Sequence, residues 1–297
     1  MSSILTNTSA MTALTTLRAI NSDLETTQNR ISTGKAVSSA ADNAAYWSIS
    51  TTMNSDVSTM KAVTNSLGLA KSQADTAANG INSLVGLLKD YRDRLASAAQ
   101  PGMDKEKIGT ELNQLKSQMV TIVNASATNG VNWLTGAGTG AGATDTSFDV
   151  VSGVTRGSTA TAIEKINISF KVNTAAAGDP ADNKNASELL AAVTGTLTAS
   201  ATTASIETAL TAVDKTLSNL TKLGSMFGAS STRIQLQTEF TKTLSDSLSR
   251  GVGSLVDADL DGESTKLKAL QTQQQLAVQA LSIANSNTQT ILSLFRN

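Results

Sequence analysis

The chain contains no cysteine and no histidine, and only two of its 297 residues are proline. Without cysteine it can form no disulfide, no thiol nucleophile and no thiolate zinc site. Without histidine it lacks the usual general base near neutral pH and the commonest metal ligand. Aromatic residues make up 3% of the chain, which is little material for the apolar pocket that an enzyme needs. The composition therefore argues against an enzyme and indicates no cofactor.

Charge and long apolar runs are equally scarce. Lys and Arg total 23 and Asp and Glu total 24, so the chain has no basic surface for nucleic acid or an anionic membrane. The first residues have neither the basic start nor the apolar core of a secretory signal. Apolar clusters such as residues 84–88 are far shorter than the ~20 residues of a membrane helix. Taken alone, this pattern suggests a cytoplasmic protein, although export without a cleaved signal stays open.

The chain does contain a long helical repeat. From Tyr46 to Ala98, positions spaced alternately three and four residues apart are apolar or alanine in fifteen of sixteen cases, and Asp56 is the exception. A repeat held this long is typical of a coiled-coil seam, the row of side chains that faces a partner helix. The segment Gln100-Pro101-Gly102 predicts where this helix ends.

Two further helices carry matching rows. One has apolar residues from Ile108 to Ile122, and the other runs from Leu210 to Phe227 and continues, after a shift of phase, at Phe240, Leu244 and Leu248. Three helices with facing seams pack as an antiparallel bundle. We therefore predict a mainly α fold: an elongated antiparallel helical bundle or coiled coil formed by N- and C-terminal arms.

Both ends of the chain have the same repeat with weaker seams. Amides and a threonine occupy positions where apolar residues belong: Asn21, Gln28, Gln274 and Thr288. A buried Leu contributes ~1.5–3 kcal/mol, whereas a buried amide is neutral at best unless it is hydrogen-bonded. Such helices are marginal alone, so we expect them to be poorly ordered in a monomer and to fold against partners. The two rows are Ala10, Leu14, Leu17, Asn21, Leu24, Gln28, Ile31 and Leu267, Leu270, Gln274, Ala277, Leu281, Ala284, Thr288, Ile291, Phe295.

The middle of the chain has a different composition. The glycine-rich stretch 135–142 predicts a flexible joint. Ser147–Val154 and Glu164–Val172 alternate with period two and predict a β-hairpin. Asp179-Pro180 predicts a turn, and Ala186–Val193 a short helix. We interpret residues 131–204 as a small β-containing insertion between the helical arms.

Two local patterns imitate ligand-binding motifs. Ser32-Thr33-Gly34-Lys35 resembles the end of a phosphate loop, but Asn29 stands where that motif needs glycine, so we predict a helix C-terminus at Gly34. The glycine string in residues 136–142 follows a helix and lacks the spacing of a dinucleotide-binding fingerprint. We interpret it as a linker.

A third pattern imitates a calcium loop. Asp257-Ala-Asp259-Leu-Asp261-Gly262 reads like the start of an EF-hand, but the twelfth position, which should be a bidentate Glu, is Lys268. Carboxylates just before a helix also favour its N-terminal dipole. We therefore predict a loop that leads into the last helix, and no metal site.

Particular residues at the two ends narrow the class of protein. Residues 29–50 read NRISTGKAVSSAADNAAYWSIS, which resembles the N-terminal signature of bacterial flagellins. Asp257-Ala-Asp259, residues 271–285 (QTQQQLAVQALSIAN) and residues 291–296 (ILSLFR) resemble the C-terminal signature. The similarity covers residues 1–130 and 205–297 and skips the middle. Paired signatures of this kind are highly specific.

The resemblance implies a fold and a role. The two ends, residues 1–36 and 258–297, would pair as an inner helical domain that lines a central channel. Residues 37–130 and 205–257 would form the surrounding long-helix bundle, and residues 131–204 a surface-exposed insertion. The chain would be exported unfolded through the flagellar secretion apparatus, without a cleaved signal, and polymerise into the extracellular filament used for swimming.

The resemblance also implies partners. These are other copies of the chain, sibling flagellins, a secretion chaperone, and the cap and hook-junction proteins. Innate immune receptors read the segment that aligns with residues 29–50. In that segment Tyr46 replaces the family's usual glycine and Trp47 follows it, so we regard these two residues as candidates for receptor evasion.

The expected functional residues are therefore interfaces. Most lie in the terminal seams, and a few lie in the segment that connects the inner and outer shells. The candidate self-assembly residues are Leu14, Leu17, Leu24, Arg30, Ile31, Asp42, Asn43, Leu267, Leu270, Leu281, Ile291, Leu294, Phe295 and Arg296.

Three alternatives stay open at this point. A hook–filament junction protein would share the terminal similarity but usually has a larger middle. Another helical protein secreted by a type III-like apparatus would need a membrane-inserting apolar stretch, which is missing. An enzyme within the insertion would need clustered titratable groups, and residues 131–204 carry only scattered Asp, Glu and Lys.

Overall fold

The computed structural model describes residues 7–135, 147–156, 161–169, 171–173, 183–191, 193 and 201–294. This part of the chain forms six α-helices: α1 (Thr8–Thr33), α2 (Ala44–Ser97), α3 (Lys105–Ala125), α4 (Ala186–Ala191), α5 (Thr203–Val256) and α6 (Leu260–Leu294). It also forms four strands: β1 (Ser147–Arg156), β2 (Thr161–Ser169), β3 (Val172–Asn173) and β4 (Asn183–Lys184). The mainly α fold with a small β-containing segment is confirmed.

The chain forms two compact units. The terminal unit comprises Met1–Val57 and Asp246–Asn297, and the bundle unit comprises Ser58–Ser245. The boundaries fall inside α2 and α5, so each of these helices supplies residues to both units. The division into three parts stays a prediction.

The core of the bundle unit is the seam expected in α2. Every position of the predicted row from Val63 to Ala98 is buried. It packs with buried apolar side chains of α3 and α5, including Leu112, Met119 and Phe227. The helices α2 and α5 are antiparallel, because Arg92 Nε lies 2.7 Å from Asp214 Oδ1 while Ser231 Oγ donates to Asp75 Oδ1 at 2.7 Å. The bundle prediction is confirmed over this stretch.

The predicted seam was wrong in phase at two places. Tyr46 and Ile49, at the start of α2, are exposed, and Ser50 and Val57 are buried instead. On α5, Phe240 is 61% exposed and Thr241 is buried. At the start of α2 the cause is the drift of a helix with 3.6 residues per turn relative to a strict repeat of 3.5. On α5 the row was restarted one residue too early, since Thr241 and Ser245 are buried.

The turn between α2 and α3 forms where Pro101 and Gly102 predict it. Gly102 has φ 89°, a left-handed conformation that favours glycine. The next helix is capped by Asp104, whose Oδ1 accepts a hydrogen bond from the Lys107 amide at 3.2 Å. The predicted helix end is therefore confirmed by a break followed by a new N-cap.

The predicted hairpin is also present. Strands β1 and β2 pair antiparallel from Ser147↔Ser169 to Arg156↔Thr161, with an irregularity between Val151 and Gly153. The alternation places Val150, Ile166 and Ile168 in the same core as the helices. The hairpin is tied to α5, because Gln237 Nε2 donates to the Ser152 carbonyl at 2.9 Å.

The short helix predicted for residues 186–193 is present as α4, which ends at Ala191, and it contributes Leu189 and Leu190 to the core. The predicted glycine-rich joint beyond Thr135 and the predicted Asp179-Pro180 turn lie outside the described residues.

The packing of α2 predicts a difference between two of its leucines. Leu84 is fully buried, so Leu84→Ala should lower the free energy of unfolding by ~2–5 kcal/mol through lost burial and a cavity. Leu69 is exposed, so Leu69→Ala should change it by less than ~0.5 kcal/mol. Denaturant unfolding followed by circular dichroism checks both. Equal losses for the two variants would show that the seam is misplaced.

Candidate assembly surface

Helices α1 and α6 lie antiparallel in the terminal unit. Arg30 Nη1 donates to Glu263 Oε1 at 2.9 Å near the end of α1 and the start of α6. Farther along, Gln274 Nε2 donates to Asn21 Oδ1 at 2.7 Å. At the far end, Asn7 Nδ2 donates to the Ala284 carbonyl at 3.0 Å. These contacts define one register for the pair.

The two seams of this pair are narrow. Among their described side chains, Thr27 and Leu270 are the two that are buried, and the remaining seam residues are half-buried. A pair with so little buried apolar area is weakly stabilised by its own contacts. The seam residues are Ala10, Ala13, Leu17, Ile20, Leu24, Thr27 and Ile31 on α1, and Glu263, Leu267, Leu270, Gln274, Ala277, Leu281 and Ala284 on α6.

The predicted row was right for the described part of α6 and partly wrong for α1. Asn21 and Gln28 are exposed, and Ile20 and Thr27 take the inward positions. Leu14 is likewise more exposed than Ala13. The amides of α1 therefore flank the seam, where Asn21 accepts the hydrogen bond from Gln274.

The structure brings most of the predicted interface leucines into contacts within the chain. Leu17, Leu24, Ile31, Leu267, Leu270 and Leu281 all lie along the α1–α6 seam. Leu14 lies on the outer face. Ile291 and Leu294 belong to the last turns of α6, whose side chains are not described, and Phe295 and Arg296 lie outside the described residues. The part of all these residues in assembly stays a prediction.

The outer faces of α1 and α6 carry large apolar side chains that the sequence analysis missed. Met11 is 64% exposed and Ile283 is 62% exposed, and Leu276 and Val278 are exposed as well. In the register above, Met11 lies at the level of Ile283 and Leu14 at the level of Val278. The sequence could have identified them by their position outside the repeat, since an apolar residue that lies off the seam has no partner within the helix pair.

A shallow groove runs along the same helix pair. It is lined by small side chains: Ser9, Thr12, Ala13, Thr16, Ala277, Ala280 and Ala284. Small residues let the backbones of neighbouring helices approach closely. This groove can therefore accept a closely packed helix, although its side chains offer little apolar area to bury.

Main-chain hydrogen bonds join the segment after α1 to the segment before α6. We call these contacts the clasp (residues 34–37 with 256–258). The Ala258 amide donates to the Gly34 carbonyl at 2.9 Å, and the Ala36 amide donates to the Val256 carbonyl at 2.7 Å. Gly34 itself has φ 69° and caps α1. The predicted helix C-terminus at Gly34 is confirmed.

The acidic loop before α6 is a capping structure. Asp259 Oδ1 accepts hydrogen bonds from the amides of Asp261 at 3.2 Å and Gly262 at 3.3 Å. These bonds satisfy amides that the helix cannot pair internally. The predicted loop leading into the last helix is confirmed. Within the described ranges, no three acidic side chains are grouped so that they could hold a metal ion.

Across the described residues, none of the helices combines the length and apolar character that crossing a membrane requires.

The two polar residues predicted in the connecting segment shape the start of α2. Asp42 Oδ2 accepts hydrogen bonds from the amides of Ser39 at 2.9 Å and Ser38 at 3.0 Å, and from both hydroxyls at 3.1 Å. The backbone bonds from Ser39 and then Ser38, followed by the hydroxyl bonds, lower the pKa of Asp42 below its usual 3.8. Asn43 Oδ1 accepts from the amides of Ala45 and Tyr46 and so caps the helix.

The aromatic residues that follow are exposed. Tyr46, Trp47 and Ile49 are three exposed apolar side chains on the first turns of α2. The expectation that Tyr46 begins the buried seam of α2 was therefore wrong. Evasion of receptors by Tyr46 and Trp47 stays a prediction.

Both ends of the chain match the model of a known protein family. The bacterial flagellin N-terminal helical region matches residues 4–139, and the bacterial flagellin C-terminal helical region matches residues 210–295. Flagellin C of Rhizobium meliloti (strain 1021) is 40% identical over 323 residues, with 100% of both chains covered. Flagellin of Brucella melitensis biotype 1 is 42% identical over 297 residues, again with 100% of both covered. The crystal structure of Bacillus cereus flagellin covers 58% of this chain and 86% of its own, at 19% identity and a TM-score of 0.42.

The lowered pKa of Asp42 predicts a pH dependence. Because the folded state favours the ionised carboxylate, its contribution is full above the unfolded value near 3.8 and is lost as pH falls through the lower folded value. Asp42→Asn should therefore destabilise the protein at neutral pH, and the difference from the parent should shrink as pH drops below 3.8. Denaturant unfolding of both chains between neutral and acidic pH checks this, with Asp23→Asn on the exposed face of α1 as control. A difference that does not vary with pH would contradict it.

Proposed function

Because the chain belongs to the bacterial flagellin family, we propose that it assembles by burying the exposed apolar side chains of its terminal unit against other copies. Its role is that of a structural subunit of the flagellar filament, outside the cell, where it self-associates with copies of itself and with sibling flagellins. The proposal names the surface that this self-association uses.

One observation carries the proposal. The terminal unit leaves large apolar side chains exposed on α1 and α6, while the seam between these helices is thin. Contiguous exposed apolar surface marks an interaction site, and each such side chain contributes ~1.5–3 kcal/mol when it is fully buried. Neighbouring copies would thus supply the burial that the isolated pair lacks, and assembly would order both helices.

The terminal pair, residues 1–36 with 258–297, is then the inner part of the filament. The long helices within residues 37–130 and 205–257 surround it, and residues 131–204 face outward. Asp42 and Asn43 hold the connecting loop in shape, and Tyr46, Trp47 and Ile49 extend the assembly surface onto α2. A secretion chaperone, the cap and the hook-junction proteins complete the proposed partners.

The alternatives are less well supported. Relatives that match over their whole length are named flagellins, which does not favour a hook–filament junction protein or another secreted helical protein. A structural role also requires no catalysis, and we propose that the chain catalyses no reaction.

The assembly surface predicts an effect of a single charge. Ile283→Asp places a carboxylate on the exposed face of α6, where burial against another copy would desolvate it without a partner. We expect the concentration needed for seeded polymerisation to rise by at least about tenfold, as measured by sedimentation and electron microscopy. The matched control is Val120→Asp, at an exposed apolar position of α3 in the bundle unit. Equal effects of both substitutions would refute the assignment of the surface.

Trp47 offers a direct readout of burial on assembly. The chain has two tryptophans, and Trp133 is already buried. In a Trp133→Phe chain the fluorescence therefore reports Trp47 alone, and its emission should shift to the blue when filaments form because neighbouring copies remove water from the indole. Emission that stays the same in soluble chain and filament would place Trp47 on the outer, solvent-facing side.

A further inference from the structure

The apolar seam of the terminal pair does not by itself define its register. The seam positions of α1 and α6 both follow the heptad spacing, so moving one helix by one heptad replaces each seam residue with another seam residue. At the far end of the pair most seam residues are alanines, namely Ala10, Ala13, Ala277 and Ala284, and Leu281 is the exception. Alanines have no branched side chain whose shape would resist such a slip.

The polar contacts do depend on the register. The polar contact most sensitive to register is the ion pair between Arg30 and Glu263, whose side chains are 33% and 13% exposed. Within the described part of the chain, the second carboxylate oxygen of Glu263, Oε2, is buried and has no hydrogen-bond partner. A carboxylate that is so little hydrated depends on its cation, because removing one partner of a buried ion pair leaves an uncompensated charge.

A slip by one heptad would remove this contact in either direction. In one direction Glu263 would lie opposite Asp23, so that two carboxylates would face each other. In the other direction it would lie opposite Val37, beyond the end of α1. In the first case Leu14 would replace Asn21 opposite Gln274, and the hydrogen bond would be lost. In the second case Gln28 would take the place of Asn21, so the loss of the ion pair is what distinguishes that register.

We infer that the Arg30–Glu263 ion pair, supported by the Gln274–Asn21 hydrogen bond, selects the register in which α1 and α6 pair. A polar group at a seam position is a known means of fixing register at some cost in stability. The selected register brings Met11 level with Ile283 and Leu14 level with Val278. In this last step the inference rests on the proposed function, because only this register presents the proposed assembly surface.

The clasp is the competing explanation. Its hydrogen bonds between residues 34–37 and 256–258 join main-chain atoms next to the base of the pair. If the clasp alone fixed the register, the ion pair would be dispensable. The two explanations differ in what a charge substitution does while the clasp is intact.

The lack of cysteine makes the register measurable with introduced pairs. Ala13 and Ala280 line the same groove, so Ala13→Cys with Ala280→Cys reports the native register. Ala13→Cys with Gln273→Cys, or with Asn287→Cys, reports a slip of one heptad in either direction. Each pair is placed in the full chain and oxidised during seeded assembly. Disulfides within one chain are separated from those between chains on non-reducing gels and identified by mass spectrometry.

These reporters are combined with Arg30→Glu, Glu263→Arg and the double charge exchange. Each single substitution opposes like charges, so the ratio of native to slipped disulfide should fall by at least about tenfold. The double exchange restores an ion pair and should return the ratio to that of the parent. Arg92→Glu is the matched control, since it breaks the exposed Arg92–Asp214 pair in the bundle unit and should leave the ratio unchanged.

Three results would overturn the inference. They are an unchanged ratio in both single variants, an equal yield of native and slipped disulfides in the parent, and no recovery in the double exchange. Filament formation, scored separately by electron microscopy, tests the proposed function. A parent chain with a clear native ratio that forms no filaments would contradict the assembly surface and leave the register inference standing.

Discussion

The stability of both units depends on how much apolar area two long antiparallel helices can remove from water. In the bundle unit the seam of α2 is buried from Val63 to Ala98 and is covered by α3, α5 and one face of the β1–β2 hairpin. In the terminal unit α1 and α6 pair with each other, and most of their seam is half-buried. Because burial is worth ~25 cal/mol per Å² of apolar surface, the bundle unit holds the larger share of the stability.

Much of this arrangement could be predicted from spacing alone. A seam such as Val63–Ala98 is a property of one helix, since the same residues stay on one face whatever the partner is. The exact residues that face inward near the ends of each row, in contrast, depend on the helix against which they pack. On α1 Ala13 takes the inward position that was predicted for Leu14, and the same shift by one residue recurs at Ile20 and Thr27. On α5 the row that begins at Phe240 is displaced by one residue, and Thr241 takes the buried position.

The candidate surface was harder to predict than the fold. Most of the leucines assigned to assembly serve first to join α1 to α6, while Met11, Leu276, Val278 and Ile283 carry the exposed area. Sequence periodicity identifies residues that fit a pattern, and an interface on the outer face is made of residues that do not fit it.

The acidic residues near helix starts have a structural role. Asp42, Asp104 and Asp259 all accept hydrogen bonds from main-chain amides next to the start of a helix. Their chemistry is that of capping.

The weakness of the terminal seam also has a consequence for assembly. A pair with leucine at every seam position would bury its area within one chain, and it would fold before it met a second copy. The observed pair combines alanines in the seam with one ion pair and one hydrogen bond between amides, and it carries large apolar side chains outside the seam. Polar contacts contribute little net stability but depend steeply on geometry. Such a pair can favour one register while leaving most of its apolar area for the neighbouring copies.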